Sequence, residues 1–156
     1  LSRGLHPSML EHLGLEDALR WECQNFSKRG SIDVRFSSRD VPEQISIELG
    51  ICLYRITQAA LHNVERHAGT DTASVSLTGE AGVLELAIED HGTGFDPARA
   101  RVSEGIGLAS MEERVRLVQG EIQVDATPGR GTRIVARVPL RVTVATPVES
   151  NLEEGV

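Results

Sequence analysis

The chain has 156 residues, 40% of them hydrophobic and 25% charged, a composition typical of one compact globular domain. Its formal net charge of −7 argues against nucleic acid as the main partner, because binding to a phosphate backbone needs a basic surface. The two cysteines, Cys23 and Cys52, form no CxxC pair, so we expect two buried, reduced thiols. No apolar run reaches the length of a membrane span and no signal peptide is visible, so we expect a cytoplasmic domain.

The first half of the chain predicts two helices on either side of one strand. We expect an irregular lead-in over residues 1–11, then an amphipathic helix over 13–29 whose apolar residues recur at helical spacing. Alternating apolar and polar residues predict a strand over 31–37. A longer helix follows, and the polar residue Asn63 stands beside its apolar stripe. That stripe comprises Leu49, Cys52, Leu53, Ile56, Ala60 and Val64.

A hairpin and a glycine-rich segment come next. Residues 72–78 and 83–89 alternate as two strands joined by a short turn. Asp90 has the parity of the buried residues of the second strand, so it places a carboxylate at the end of a buried face. Such a carboxylate is costly to bury unless it is hydrogen-bonded. The polar, glycine-punctuated segment 90–107 predicts a mobile loop.

The last part of the chain predicts a helix at about 107–119 and strands over 121–126 and 132–138. The tail over 141–156 is acidic, and we expect its end to be disordered. The element order is therefore α-β-α-β-β-α-β-β. Because short turns make consecutive strands antiparallel, we expect an α/β (α+β) two-layer sandwich. Its sheet is predicted to be mixed, mostly antiparallel and covered on one face by about three helices.

Glycines at the start of the last predicted helix are typical of a backbone that approaches phosphate groups. Gly105 and Gly107 precede Leu108, and the N-terminus of a helix favours anions. Taken alone, these glycines are a weak indication of a phosphate site. A dinucleotide-binding fold would also require a strand directly before them, and none is predicted there. The chain contains no GxxxxGK[ST] phosphate loop, no HExxH and no GxSxG.

Four segments together resemble the catalytic ATP-binding domain of bacterial sensor histidine kinases, which has the Bergerat fold of gyrase, Hsp90 and MutL. Their order and spacing match the family over about residues 1 to 140. The segments are the asparagine box ending in Asn63-Val64-Glu65-Arg66-His67-Ala68, the first glycine box Asp90-His91-Gly92-Thr93-Gly94-Phe95, the second glycine box Gly105-Ile106-Gly107-Leu108, and the closing turn Pro128-Gly129-Arg130-Gly131-Thr132. Met111-Glu112-Glu113-Arg114-Val115 is similar to the subgroup that pairs with NarL-type response regulators.

The resemblance implies roles for individual residues. Asn63 would bind the Mg²⁺ that bridges the ATP phosphates, and Arg66 and His67 would contact phosphate oxygens, so these three form the implied catalytic set. Asp90 would accept a hydrogen bond from the adenine amino group. The remaining implied ATP-binding residues are Gly92, Gly94, Gly105, Gly107, Leu108 and Thr132.

The chain departs from the family pattern at one position. The family usually has a glutamate four residues before the asparagine of the box, and this sequence has Ala59 there. The neighbouring Gln58 points about 100° away around the helix. In related ATPases that glutamate orients water or supports the metal, so its absence bears on catalysis more than on nucleotide binding.

Three functions remain open from the sequence. The first is a protein-histidine kinase that transfers the γ-phosphate of ATP to a histidine on its own dimerisation domain, in a protein that is a homodimer at full length. The second is a degenerate nucleotide-binding signalling module, which Ala59 favours. The third is a protein-serine kinase of the anti-sigma type. For the first, we expect residues 1–11 to lead in from a dimerisation helix, 12–140 to form the ATP-binding domain, and the domain alone not to autophosphorylate.

Overall fold

The computed structural model describes residues 7–29, 32–68, 70–92 and 107–140, and its helices and strands follow the predicted order. The elements are α1 (Pro7–Lys28), β1 (Asp33–Arg39), α2 (Ile47–Asn63), β2 (Thr72–Glu80), β3 (Val83–Asp90), α3 (Leu108–Leu117), β4 (Glu121–Thr127) and β5 (Gly131–Pro139). A π-helical turn, Val64–Ala68, continues α2. Most of the segment predicted to be a mobile loop lies outside the described residues, as does the tail after residue 140.

The first helix begins earlier than predicted. It starts at Pro7, so the expectation of an irregular segment through residue 11 is wrong for its second half. Proline is tolerated in the first turn of a helix, where its missing N–H would have no partner. The irregularity lies instead at Gly14, whose φ of 85° and ψ of 162° divide α1 into two helical pieces. A positive φ of this kind is accessible mainly to glycine.

The second helix is stabilised at its start by a cap. The Ser46 hydroxyl accepts a hydrogen bond from the Leu49 N–H at 3.2 Å, and Glu48 lies in the first turn, where the helix dipole favours an acidic side chain. All six residues of the predicted apolar stripe are buried. The spacing of the apolar residues therefore identified the inward face of α2 correctly.

The sheet is mixed and mostly antiparallel, as predicted. Its strand order is β1-β2-β3-β5-β4, and only β1 and β2 run parallel. The β2–β3 turn is tighter than expected, since the strands extend to Glu80 and Val83 and leave two turn residues. Those residues, Ala81 and Gly82, have φ angles of 53° and 80°, the positive values that a two-residue hairpin turn of type I′ requires.

The core lies between the helices and one face of the sheet. Leu77, Leu84 and Leu86 point into it and are fully buried. The opposite face of the sheet carries charged side chains in cross-strand pairs: Arg137 lies opposite Glu85 on one side and Glu121 on the other. The Nε atom of Arg137 lies 2.8 Å from Oε2 of Glu85. This face is mostly polar, although Val135 in its middle is buried, and the helices among the described residues pack on the other face.

Both cysteines are free and buried, which confirms the expectation of reduced thiols. Burial raises the pKa of the Cys23 thiol to about 12 and that of the Cys52 thiol to about 11. None of the helices in the described ranges is long and apolar enough to cross a membrane.

Candidate functional site

A buried carboxylate stands at the end of β3. Asp90 is 4% exposed, and its Oδ1 accepts a hydrogen bond from the Gly92 N–H at 2.7 Å. Burial raises the pKa of this carboxyl, the Gly92 N–H and the nearby His91 oppose the rise, and Glu89 adds to it. Within the described ranges, the second carboxylate oxygen has no hydrogen-bond partner. Asp90 can therefore accept a hydrogen bond from a ligand placed at this end of the sheet.

The neighbouring strand brings a hydroxyl beside this carboxylate. Thr132 lies directly opposite Asp90 in the β3–β5 ladder, so both side chains point to the same face. Gly131 precedes it with a φ of 96°, and a Cβ atom at this position would lie 2.3 Å from the carbonyl oxygen of Asp90. The close approach of the two strands at Asp90 therefore depends on a residue without a side chain.

The last residue of α2, Asn63, is another candidate site residue. Asn63 is 9% exposed, and the π-helical turn Val64–Ala68 follows it directly. Single π-helical turns occur often at functional sites because the wider turn redirects side chains. Arg66 lies in this turn and is exposed, with Nη1 at 3.5 Å from Nε2 of His62. The side chain of His67 lies outside the described part of the chain.

Ala59, at the position where the family usually has a glutamate, also has apolar surroundings in the fold. Ala59 lies one helical turn before Asn63 and packs, half-buried, against the core. Gln58 is also half-buried but belongs to another side of the helix. In the described residues, no group of three or more histidine, cysteine or acidic side chains is placed to hold a metal ion.

The end of α2 and the end of β3 lie at the same pole of the domain. The π-helical turn ends at Ala68, and Ala73 in β2 pairs directly with Asp90. Five residues of extended chain reach about 17 Å, which limits the separation between the turn and Asp90. The fold thus brings Asn63 and Asp90 to one end of the sheet, although they are far apart in sequence.

The third helix also directs its start toward this pole. The Sγ atom of Cys52, in the first half of α2, lies 3.5 Å from the carbonyl oxygen of Arg114, near the end of α3. The end of α3 therefore lies beside the start of α2, and α3 begins nearer the Asn63 end. Gly107 precedes it with a φ of 74°, and Leu108 is 1% exposed.

The structure brings most of the predicted site residues to one pole. Asp90, Gly92 and Thr132 are adjacent, while Gly94 and Gly105 lie outside the described residues. Sequence reasoning chose Thr132 from the closing turn but not Gly131. The positive φ and the close approach to Asp90 make Gly131 part of the site. The closely spaced glycines of that turn were the signal that could have identified it.

A mixed sheet with helices on one face and a buried carboxylate at one pole defines an α/β sandwich of the Bergerat type. The chain belongs to the family described as histidine kinase-, DNA gyrase B- and HSP90-like ATPases, whose model matches residues 48–142. This match confirms the family that the four sequence segments indicated.

Two curated proteins are similar to most of this chain. The sensor histidine kinase MctS of Rhizobium johnstonii is 33% identical over 141 residues, which cover 89% of this chain and 30% of MctS. The oxygen sensor histidine kinase NreB of Staphylococcus carnosus is 33% identical over 140 residues, which cover 90% of this chain and 40% of NreB. The chain thus spans well under half the length of these two relatives.

Solved structures show the same fold. The histidine kinase domain of a blue-light activated kinase from Erythrobacter litoralis superposes with a TM-score of 0.62 at 20% identity, covering 81% of this chain and 61% of that domain. A longer structure of that kinase gives a TM-score of 0.66 at 22% identity, covering 81% of this chain and 42% of the other. At this identity the likeness supports the architecture alone.

Proposed function

We propose that this domain binds ATP with Mg²⁺ and supplies the γ-phosphate to a histidine on a separate dimerisation domain of a two-component sensor kinase. The observation that carries the proposal is Asp90, a buried carboxylate with a second oxygen that no described residue engages. Membership of the ATPase family and the similarity to two sensor histidine kinases support it.

The adenine base would be held at the Asp90 end of the site. An ionised carboxylate accepts hydrogen bonds only, which suits the exocyclic amino group of adenine. Thr132, opposite Asp90, would support the base directly or through a water molecule. Gly92 and Gly94 would let the chain pass close to the nucleotide, with Gly94 shaping the pocket.

The phosphates would lie toward the end of α2. The amide oxygen of Asn63 is a suitable Mg²⁺ ligand, because Mg²⁺ usually keeps several waters and takes few protein ligands beside substrate phosphates. Arg66 and His67 would contact phosphate oxygens and offset part of their charge. Gly105 and Gly107 would act as hinges of a segment that covers the phosphates, and Leu108 would lie under it. With Mg-ATP bound, these residues would hold the triphosphate and offset part of its charge, which is the main contribution a protein makes to phosphoryl transfer.

The acceptor and the signalling partners follow from this assignment. We infer that the acceptor imidazole belongs to a dimerisation domain, that residues 12–140 form the ATP-binding unit, and that the complete protein is a cytoplasmically facing homodimer. A response regulator would receive the phosphoryl group, and the segment Met111–Val115 favours one of the NarL type. Without the dimerisation domain, the domain should bind ATP but not phosphorylate itself.

Calorimetric titration with ATP, with and without Mg²⁺, tests the nucleotide site. Asp90→Asn should weaken ATP binding about ten- to a hundredfold, because it loses a charge-assisted hydrogen bond. Glu89→Gln is the matched control, since Glu89 is the adjacent carboxylate but faces the open side of the sheet opposite Arg133. If ATP binds equally to all three proteins, Asp90 does not recognise adenine. If none of them binds ATP, the proposed function fails.

A second experiment tests the phosphoryl-transfer step. The domain is incubated with labelled ATP and a separately supplied dimerisation domain from the complete protein. We expect Ala59→Glu to increase transfer, because it restores a carboxylate one helical turn before Asn63. Equal transfer by both proteins would mean that the alanine is compatible with full activity. Absence of transfer from both, with ATP binding intact, would support the alternative of a nucleotide-binding signalling module.

A further inference from the structure

The two outer strands of the sheet differ in what lies beside them. The outer strand β1 is covered by α1, because the Val34 N–H donates to Oγ of Ser27 at 2.9 Å and the Ser27 hydroxyl donates to the Val34 carbonyl oxygen at 3.4 Å. The guanidinium of Arg20 lies over the ring of Phe36, 5.2 Å from its centroid. The side chains of α1 therefore close this edge, and folds commonly use such cover to prevent pairing with a further strand.

The other outer strand, β4, has no such cover among the described residues. It is the last strand in the order β1-β2-β3-β5-β4, and within the described ranges no side chain forms a hydrogen bond with its backbone. Its side chains alternate between fully exposed and half-buried along all seven residues. The backbone N–H and C=O groups on the outer side of β4 can therefore pair with an extended segment.

A row of charged side chains crosses the open face of the sheet and ends at β4. Arg137 on β5 lies between Glu85 on β3 and Glu121 on β4. Arg137 is engaged by Glu85, with Nε 2.8 Å from Oε2, whereas Glu121 forms no ion pair with any residue in the described ranges. The charges run negative, positive, negative from β3 outward, so the row ends at the edge on a carboxylate that lacks a cation.

A second row repeats this order of charges. Arg133 lies between Glu89 on β3 and Asp125 on β4, so this row also ends on a carboxylate at the edge. The basic residues Arg35 and Arg39 belong to β1, two strands beyond β3, which is roughly 10 Å at the usual strand spacing. Since opposite charges directly across from each other stabilise strand pairing, basic side chains facing the two carboxylates of β4 would favour an added strand.

A depression of about 240 Å³ lies beside the same edge. Its lining consists of Glu121, Ile122, Gln123, Val135 and Arg137. Gln123 lies directly opposite the buried Val135, so the middle of the edge carries no charge between the two rows. A side chain from a neighbouring strand has room in this depression, and an uncharged one suits its surroundings.

We propose that the outer edge of β4 docks an extended segment of another protein, which adds a strand to the sheet. Basic side chains at the first and fifth positions of the segment face Asp125 and Glu121, and an uncharged side chain at the third faces Gln123. Apolar side chains at the second and fourth positions continue the layer of Ile122 and Val124, which are only partly buried. This pattern reads the same in both directions, so it suits a parallel or an antiparallel segment. The net charge of −7 disfavours a second copy of this chain as the occupant.

Amide hydrogen exchange of the full chain, read by mass spectrometry in the presence of short peptides, tests the proposal. The probe is the synthetic peptide TKVTVKT with blocked ends, at millimolar concentration. Its matched control is TVKTKVT, which has the same composition but carries its basic side chains on the other face. The double variant Glu121→Gln, Asp125→Asn removes the two edge carboxylates. The double variant Asp33→Asn, Glu80→Gln removes two exposed carboxylates from other strands and leaves the same net charge.

We expect TKVTVKT to slow exchange in residues 121–127 and to leave residues 33–39 unchanged. The variant without edge carboxylates should need about three- to tenfold more peptide for the same protection, because each exposed ion pair contributes little. The charge-matched variant should behave like the unaltered chain.

Three results would overturn the proposal. The first is equal protection by the two peptides, and the second is absence of protection in residues 121–127. The third is exchange in residues 121–127 that is already as slow as in β3 before any peptide is added, because the edge would then be covered by the chain itself.

Discussion

Replacing Gly131 with alanine is expected to separate the two strands that form the predicted adenine end of the site. A Cβ atom at this position would lie 2.3 Å from the carbonyl oxygen of Asp90 and 2.8 Å from the Cα atom of His91. Both neighbours are backbone atoms of β3 and its continuation, so they cannot move away as a flexible side chain could. The substitution also places a side chain at a φ of 96°, which L-residues rarely adopt.

The turn that joins β4 and β5 offers a matched control. Gly129 has a φ of 85°, and a Cβ atom there would meet nothing within 4 Å. Gly129→Ala should therefore lower the free energy of unfolding only by the cost of holding an L-residue at a positive φ, about 1–2 kcal/mol. Gly131→Ala should lower the free energy of unfolding by the same backbone cost and by about 1–3 kcal/mol more, because its Cβ atom would be forced against backbone atoms. The total loss is about 2–5 kcal/mol. The difference between the two variants measures the close approach of the strands at Asp90.

Urea denaturation of both variants gives the free energies of unfolding, and ATP titration by calorimetry gives the affinities. We expect Gly129→Ala to bind ATP like the unaltered chain, because a Cβ atom there would meet nothing within 4 Å and so would not displace the backbone around Asp90. Gly131→Ala should bind more weakly even where it remains folded, because the backbone that holds Asp90 has to shift. Equal losses of stability and equal affinities for the two variants would refute the reasoning.

Three further predictions concern hydrogen bonding and charge. Tyr54→Phe should lower the free energy of unfolding by about 1–3 kcal/mol. The reason is that the buried Tyr54 hydroxyl donates a hydrogen bond to Oε1 of the buried Glu22 at 2.6 Å. An unchanged midpoint of urea denaturation would contradict this. Burial raises the pKa of Asp90, so acidification should protonate it and weaken ATP binding at a higher pH than for an ordinary aspartate. A calorimetric profile that stays flat until the ordinary range of aspartate is reached would argue against it. Glu85→Gln should lower the free energy of unfolding, measured by urea denaturation, by at most about 1 kcal/mol, because the Glu85–Arg137 ion pair is partly exposed. A larger loss would show that the charged side chains of this face form a stabilising network.

The pH dependence of stability has a definite sign for Asp90. Its folded-state pKa is raised, so the folded protein binds this proton more readily than the unfolded chain does. Ionisation of Asp90 therefore costs stability at neutral pH, and the cost disappears as pH falls through the raised pKa. Asp90→Asn should accordingly be no less stable than the unaltered chain at neutral pH, and its advantage should shrink on acidification. Urea denaturation of both proteins across this range checks the sign.

Periodicity in the sequence was sufficient for the type and order of the elements. The stripe on α2 and the alternation in β3 place Leu53, Ile56 and Leu86 inward, since burial of apolar side chains follows the repeat of the backbone. Boundaries were less well determined. A proline at position 7 is compatible with either a loop or the first turn of a helix, and local sequence does not decide between them.

The sequence by itself determined the family, the element order and the chemical character of the proposed site, because its asparagine and glycine segments occur at a characteristic spacing. Tertiary structure decided which of those residues meet. Asp90 and Thr132 are neighbours only through the β3–β5 register, and Gly131 belongs to the site only because β5 passes so close to the backbone of β3. Register and close approach arise from contacts between segments distant in the chain, and no local pattern carries that information.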